Sequence, residues 1–235
     1  MDSAKIDHPE IQLIKACIKV KYLVKALQIS GELMSCGLEA LKKAPQVETY
    51  YDHFEILGMV GDLPVTITRD NFQTYAPQLT ALHLANKNLT TIPLIVFQLT
   101  SLKRLDLSGN RISSVPEEMT WLENLEVLDL SHNQLTHFPP IPRQLQKLFL
   151  AENRIESIPD LSETALSILD LESNAVQFSI QWRFPLGIVR AQLSHNLIAS
   201  LPDLSPYSQL RILELRGNPL DKACLKGLTI EKIEI

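Results

Sequence analysis

The chain has 235 residues, of which 45% are hydrophobic and 21% are charged, a balance typical of a folded protein rather than a disordered one. Its net charge of -5 at pH 7 argues against nucleic acid as the main partner, because nucleic-acid binders usually present a basic surface. The sequence contains no run of about eighteen apolar residues, so it predicts no membrane-spanning helix.

Residues 1–58 predict a helical subdomain, with helices over about 9–29, 32–44 and 47–57. The first helix has one apolar stripe, and it carries Lys15, Lys19, Lys21 and Lys25 with no acidic residue between Ile11 and Gln28. Such a basic amphipathic helix could attach to an anionic membrane. We favour a helix packed on its neighbours with a solvated basic face, because the apolar stripe is needed for packing.

Residues 59–78 form a predicted connecting and capping segment, with strand-like alternation at Leu63, Val65 and Ile67. Residues 79–220 then repeat the pattern L-x-x-L-x-L-x-x-N-x-L. Seven segments match it, beginning at Leu79, Leu102, Leu125, Leu145, Leu166, Ile188 and Leu210. Seven matches in register indicate a solenoid of stacked repeats.

Each repeat predicts a short strand, because its leucines alternate with outward-pointing residues. Stacked strands would form a parallel sheet above one continuous apolar core. After each strand an asparagine amide is suited to bond the backbone of the turn. The predicted asparagine ladder consists of Asn110, Asn133, Asn153, Asn174, Asn196 and Asn218, with Lys87 in its place in the first repeat.

The return segments carry prolines in register, such as Pro93, Pro116 and Pro139, which favour extended or tight helical structure over long helices. The fifth repeat departs from this pattern around Trp182 and Phe184, so we expect its return segment to be the least regular.

Residues 221–235 predict a C-terminal cap, with a short helix after Pro219 and a strand from about Thr229. The three cysteines, Cys17, Cys36 and Cys224, are odd in number and lie far apart. We interpret them as small buried apolar groups, and we expect an intracellular, reducing compartment.

These patterns together predict an α/β leucine-rich-repeat solenoid, with a parallel sheet on its concave face and an N-terminal α-helical subdomain. The 23-residue units resemble intracellular eukaryotic leucine-rich repeats. The shorter proline-rich units, as in LTHFPPIPRQLQKLFLAENRIESIPDL, resemble those of secreted effectors from intracellular Gram-negative pathogens. The resemblance implies a virulence protein that is secreted into the host cytoplasm and acts there on a host protein.

The candidate binding site is the concave face. Phe149 stands among polar residues, and we expect it to form an apolar patch with Val127 and Ile168. The alternative is that Phe149 folds onto the leucines while its neighbours solvate the sheet. The full predicted set is Arg104, Asp106, Val127, Asp129, Lys147, Phe149, Ile168, Asp170, Glu172, Arg190, Gln192 and Glu214.

We therefore expect a monomeric protein-interaction scaffold without enzymatic activity, cofactor or metal. His132 and His195 occupy the same repeat position but are three repeats apart, roughly 15 Å, which is too far for one zinc ion. Two alternatives remain: a membrane-tethered adaptor using the basic helix, and a regulatory or substrate-recognition subunit of a ubiquitin-ligase or phosphatase complex.

Overall fold

A computed structural model describes residues 74, 76–177, 182–221 and 232–234. The predicted N-terminal helices, most of the 59–78 segment and the short helix of the C-terminal cap lie outside the described residues. Among the described ones the chain forms eight three-residue strands: β1 (Ala81–His83), β2 (Arg104–Asp106), β3 (Val127–Asp129), β4 (Lys147–Phe149), β5 (Ile168–Asp170), β6 (Arg190–Gln192), β7 (Ile212–Glu214) and β8 (Lys232–Glu234).

The eight strands form one parallel sheet in chain order, from β1 to β8. Strands β1–β7 cover positions three to five of the seven predicted repeats, and equivalent positions pair, as Leu82 does with Leu105. The repeat register is therefore confirmed. The strand predicted in the C-terminal cap is present as β8, which pairs in parallel with β7.

The leucine positions of the repeat build the core beneath the sheet. In β3, for example, Leu128 and the following Leu130 are both fully buried, and the first position of the same repeat, Leu125, is buried with them. Burial of one such side chain stabilises the fold by about 1.5–3 kcal/mol. Because the pattern recurs in every repeat, the core is continuous from one end of the array to the other.

All six predicted ladder asparagines bond the backbone of the turn. The Nδ2 of Asn153 donates to the carbonyls of Leu130 and Leu150, at 3.0 Å each, and its Oδ1 accepts the N–H of Leu135 at 3.0 Å. Each asparagine thus joins its own turn to the preceding repeat. In the first repeat the backbone N–H of Lys87 donates to Asn110 Oδ1, so the lysine is held by the ladder of the next repeat.

The residue before each ladder position has a left-handed backbone conformation in all seven repeats, with φ angles between 54° and 70°. Only two of the seven residues are glycines. The set is Asn86, Gly109, His132, Glu152, Ser173, His195 and Gly217. A residue with a β-carbon pays roughly 1–2 kcal/mol for this conformation. The ladder hydrogen bonds on either side hold the turn in place despite that cost.

The return segments are short, as the prolines predict. Three 3-10 helices are described: η1 (Ala76–Gln78), η2 (Leu94–Gln98) and η3 (Glu117–Trp121). The last two begin directly after Pro93 and Pro116. In the fifth repeat residues 178–181 lie outside the described part, and the buried Trp182 and Phe184 rings pack edge to face at 5.3 Å between centroids.

Candidate functional site

Apart from the buried Ala81, the side chains at positions three and five of β1–β7 are at least partly exposed on the side opposite the leucine core, and we call the surface that they form the sheet face. It corresponds to the predicted concave face. All twelve predicted site residues retain at least partial solvent exposure, and Arg104 and Lys147 are the most open of them. The structure therefore brings the predicted residues onto one accessible surface, where most of them also make contacts with each other or with the turns.

Three aspartates at position five have a structural task. The Oδ1 of Asp106, Asp129 and Asp170 accepts the backbone N–H of the residue two positions further along, at 2.9–3.0 Å. Each carboxylate thereby closes the turn that follows its strand. The position-five carboxylates are thus partly committed to the fold, which makes them less available to a binding partner.

The ionisation of Asp170, on the sheet face, is perturbed by its surroundings. Burial raises its pKa above the ordinary value of 3.8, and the hydrogen bond from the Glu172 backbone opposes that rise. The neighbouring carboxylates of Glu172 and Asp129 raise the pKa further, while Arg190 lowers it. Keeping this carboxylate charged at neutral pH therefore costs folding free energy.

The far end of the sheet face is occupied by an internal polar network. Arg190 Nη2 donates to Gln192 Oε1 at 2.9 Å and to Glu214 Oε1 at 2.8 Å. Gln192 Nε2 in turn donates to Glu172 Oε2. These four predicted site residues satisfy one another across repeats five to seven, so a partner would have to break their bonds to use them.

The apolar patch predicted around Phe149 has a different arrangement. Strand register places Lys147, rather than Phe149, between Val127 and Ile168, while Phe149 lies between Asp129 and Asp170. Phe149, Val127 and Ile168 are all partly exposed, so the aromatic ring is not fully folded onto the leucines. The three apolar side chains are therefore diagonal neighbours, because positions three and five stand two residues apart along a strand.

Sequence reasoning missed the residues at position two. A shallow depression of about 300 Å³ is lined by Lys103, Arg104, Glu126, Val127, Gln146 and Lys147, with Thr80 at one end. Position two directly precedes each strand. The repeat pattern shows only that its residues alternate with the leucines, and this does not distinguish a solvated side chain from one that lines a depression. The pairing of Lys103 and Glu126 in adjacent repeats was the available signal, and their ion pair measures 3.1 Å.

The two histidines considered as metal ligands have separate surroundings. His132 Nδ1 lies 2.9 Å from Glu152 Oε2 on the exposed edge of the turns, and His195 covers Gly217. Within the described ranges no three His, Cys, Asp or Glu side chains are grouped as a metal site would require. A search of the same ranges for a helix of membrane-spanning length and hydropathy finds none.

Comparison with known proteins agrees with this architecture. Residues 77–135 match the family model described as leucine rich repeat. No curated protein sequence matches the chain. The chain therefore contains leucine-rich repeats, arranged as a parallel-sheet solenoid.

Solved structures with the same fold come from several sources. Internalin C2 from Listeria monocytogenes is 20% identical, with a TM-score of 0.57 over 79% of this chain and 91% of that one. A leucine-rich-repeat protein of Leptospira interrogans is 24% identical, with a TM-score of 0.50 over 68% of this chain. The receptor chain of a TLR13–ssRNA13 complex is 27% identical, with a TM-score of 0.51 over 65% of this chain. The chain spans 49% of the Leptospira protein and 24% of the TLR13 complex chain.

Proposed function

We propose that this chain is a protein-interaction scaffold that binds a partner protein through the sheet face, with Phe149 as the central anchor. The observation that carries the proposal is the position of Phe149 in the row of fifth positions. The other six strands of β1–β7 place a histidine, an aspartate, a glutamine or a glutamate there, and Phe149 is the one apolar side chain in that row. Aromatic side chains, including phenylalanine, are enriched in the cores of protein interfaces, where a few anchor residues carry most of the binding energy.

The surroundings of Phe149 support this role. Asp129 and Asp170 flank it in register, and Val127 and Ile168 lie on the diagonals. The pKa of Asp170 is raised by burial, so the protein keeps a destabilising carboxylate next to the aromatic ring. An aromatic centre with aliphatic and charged neighbours has the composition of an interface core with a polar rim.

A finer part of the proposal concerns where the chain acts. We propose that it binds a host protein in the reducing host cytoplasm, as a monomeric effector without catalytic activity of its own. The support is the resemblance of its short proline-rich repeats to those of secreted effectors. Light scattering of the purified chain tests whether it is monomeric. A translocation reporter fused to the chain tests whether it is delivered into host cells.

The binding role is tested by capture from a eukaryotic cell lysate with the intact chain as bait. Phe149→Ala is compared with Leu186→Ala, which removes a 66% exposed apolar side chain away from the strands. We expect a protein to be enriched by the unmodified chain and by Leu186→Ala, and at least about tenfold less by Phe149→Ala. Equal enrichment by all three baits would refute the anchor role of Phe149, provided that urea unfolding shows each variant to be folded.

A further inference from the structure

The third positions of the repeats carry cations and aliphatic residues in alternation from β2 to β7. The row reads Arg104, Val127, Lys147, Ile168, Arg190 and Ile212, and strand register aligns all six. Neighbouring residues of this row lie in register on adjacent strands, so they are roughly 4.8 Å apart. The cations are therefore roughly 9.6 Å apart, with an aliphatic residue between each pair.

The three cations of this row differ in their surroundings. Arg190 forms an ion pair with Glu214 at 2.8 Å. Among the described residues no carboxylate lies within ion-pair distance of Arg104 or Lys147, and both side chains are exposed. The half of the row over β2 to β4 thus offers two positive charges to an external group, whereas the half over β6 and β7 does not.

The depression described above lies at these two cations. Its other charged residues, Lys103 and Glu126, neutralise each other in their 3.1 Å ion pair, so the charge left in the depression is that of Arg104 and Lys147. The carboxylates at position five of β2, β3 and β5 belong to Asp106, Asp129 and Asp170, and the Oδ1 of each accepts a turn N–H. Val127, half-buried between the two cations, forms the floor.

We infer that this depression binds an acidic, extended segment of the partner protein, with one carboxylate at Arg104, another at Lys147 and an aliphatic side chain over Val127. In the extended polyproline II conformation, which has three residues per turn and rises about 3.1 Å per residue, carboxylates three residues apart lie on one side and are about 9.3 Å apart, which matches the spacing of the two cations. This inference rests on the proposed function and specifies the chemistry of the partner.

A protein segment fits the depression better than a nucleic acid does. Two charges separated by an aliphatic floor match a peptide that has an apolar side chain between two carboxylates, whereas a phosphate backbone would place charge over Val127 as well. The depression offers two cations without a carboxylate partner among the described residues, whereas nucleic-acid affinity comes from neutralising several phosphates.

The test uses the full chain and a display library of random peptides. The groove variant Arg104→Glu with Lys147→Glu is compared with the control variant Arg111→Glu with Arg154→Glu. The control variant alters the same two repeats and changes the net charge by the same amount. Its substitutions are at the tenth position, beyond the strands, where both arginines are exposed. A fluorescent single-stranded oligonucleotide is titrated in parallel.

We expect the unmodified chain and the control variant to enrich peptides with acidic residues three apart and an aliphatic residue between them. The groove variant should bind the enriched peptides at least about tenfold more weakly, and salt should weaken binding to the unmodified chain. The inference is overturned if the peptides are basic or unbiased in charge, if none is enriched, or if both variants bind alike. Oligonucleotide binding lost only in the groove variant would assign the depression to nucleic acid instead.

The two proposals fail in distinguishable ways. If Phe149→Ala abolishes capture of a partner while no acidic peptide is selected, the sheet face binds protein but not through an acidic segment. If acidic peptides are selected while Phe149→Ala leaves capture unchanged, the depression stands and the anchor role of Phe149 falls.

Discussion

The imidazole of His195 lies directly over Gly217 in the next repeat, so that a β-carbon on Gly217 would stand 2.5 Å from His195 Nδ1. Gly217 also has a φ angle of +70°, in the left-handed region. Two independent physical constraints therefore act on this one glycine, steric contact with the preceding repeat and backbone conformation. The pair provides a direct test of how tightly the turns of neighbouring repeats are stacked.

Gly217→Ala is expected to lower the free energy of unfolding by about 2–3 kcal/mol, the sum of a left-handed alanine and the contact with His195. The double variant with His195→Ala should recover the part due to contact and leave about 1 kcal/mol. Urea unfolding of the four proteins measures both terms. No recovery in the double variant would mean that the backbone conformation alone accounts for the loss.

Asn153→Ala is expected to destabilise the protein by about 2–3 kcal/mol. It removes bonds to three carbonyls and one N–H, and it leaves the buried Leu135 N–H without its acceptor, whereas the Leu130 and Leu150 carbonyls keep bonds from the neighbouring ladder asparagines. Asn124→Ala is the matched control, because Asn124 is exposed and donates one bond to the Thr100 carbonyl. Urea unfolding should show a loss below about 1 kcal/mol for the control, and similar losses for both variants would contradict the ladder role.

Two substitutions of Asp129 distinguish the role of its charge from the role of its hydrogen bond to the turn. Asp129→Ala removes the acceptor of the Ser131 N–H and should cost about 1 kcal/mol in thermal or urea unfolding. Asp129→Asn keeps an Oδ1 acceptor and should change stability by less than about half of that. If the two variants are equally destabilised, the carboxylate charge rather than the hydrogen bond supports the turn. Partner capture by Asp129→Asn then reports whether the charge is used in binding.

Asp170 gives a pH-dependent prediction. Its folded-state pKa is raised above the ordinary 3.8, so the folded protein binds the proton more tightly than the unfolded chain does. The stability that this group contributes is complete below pH 3.8 and is lost as pH rises through the folded-state pKa. Asp170→Asn keeps an acceptor for the Glu172 N–H. The substitution should therefore raise the urea midpoint of unfolding more at pH 7 than at pH 3. An equal effect at both pH values would contradict it.

The local features of the repeats were predictable from the sequence because each depends on a few adjacent residues. Asp-Leu-Ser occurs at Asp106, Asp129, Asp160 and Asp203, and in all four places the aspartate Oδ1 accepts the serine N–H. The same holds for the asparagine ladder, since the turn after every strand leaves the same backbone groups to be bonded. The side-chain chemistry at each repeat position therefore specifies its local task.

The chemistry of the sheet face depended on contacts between repeats. The row of fifth positions is acidic in the sequence, yet three of its carboxylates close turns and Glu214 pairs with Arg190. Whether a cation is satisfied depends on side chains about 20 residues away, and a repeat pattern does not specify their distance or rotamer. Arg190 and Arg104 occupy the same position, but only Arg190 has a glutamate in reach from the next strand.

The sequence by itself determined the repeat number, the strand register, the ladder and the buried leucines, because periodic burial and turn bonding are set by residue type at each position. Tertiary structure decided which charges remain for a partner. Stacking brings the position-three and position-five side chains of neighbouring repeats to within about 5 Å, and at that distance ion pairs form or fail according to geometry. Arg104, Lys147 and Phe149 of strands β2 and β4 therefore remain available to a binding partner.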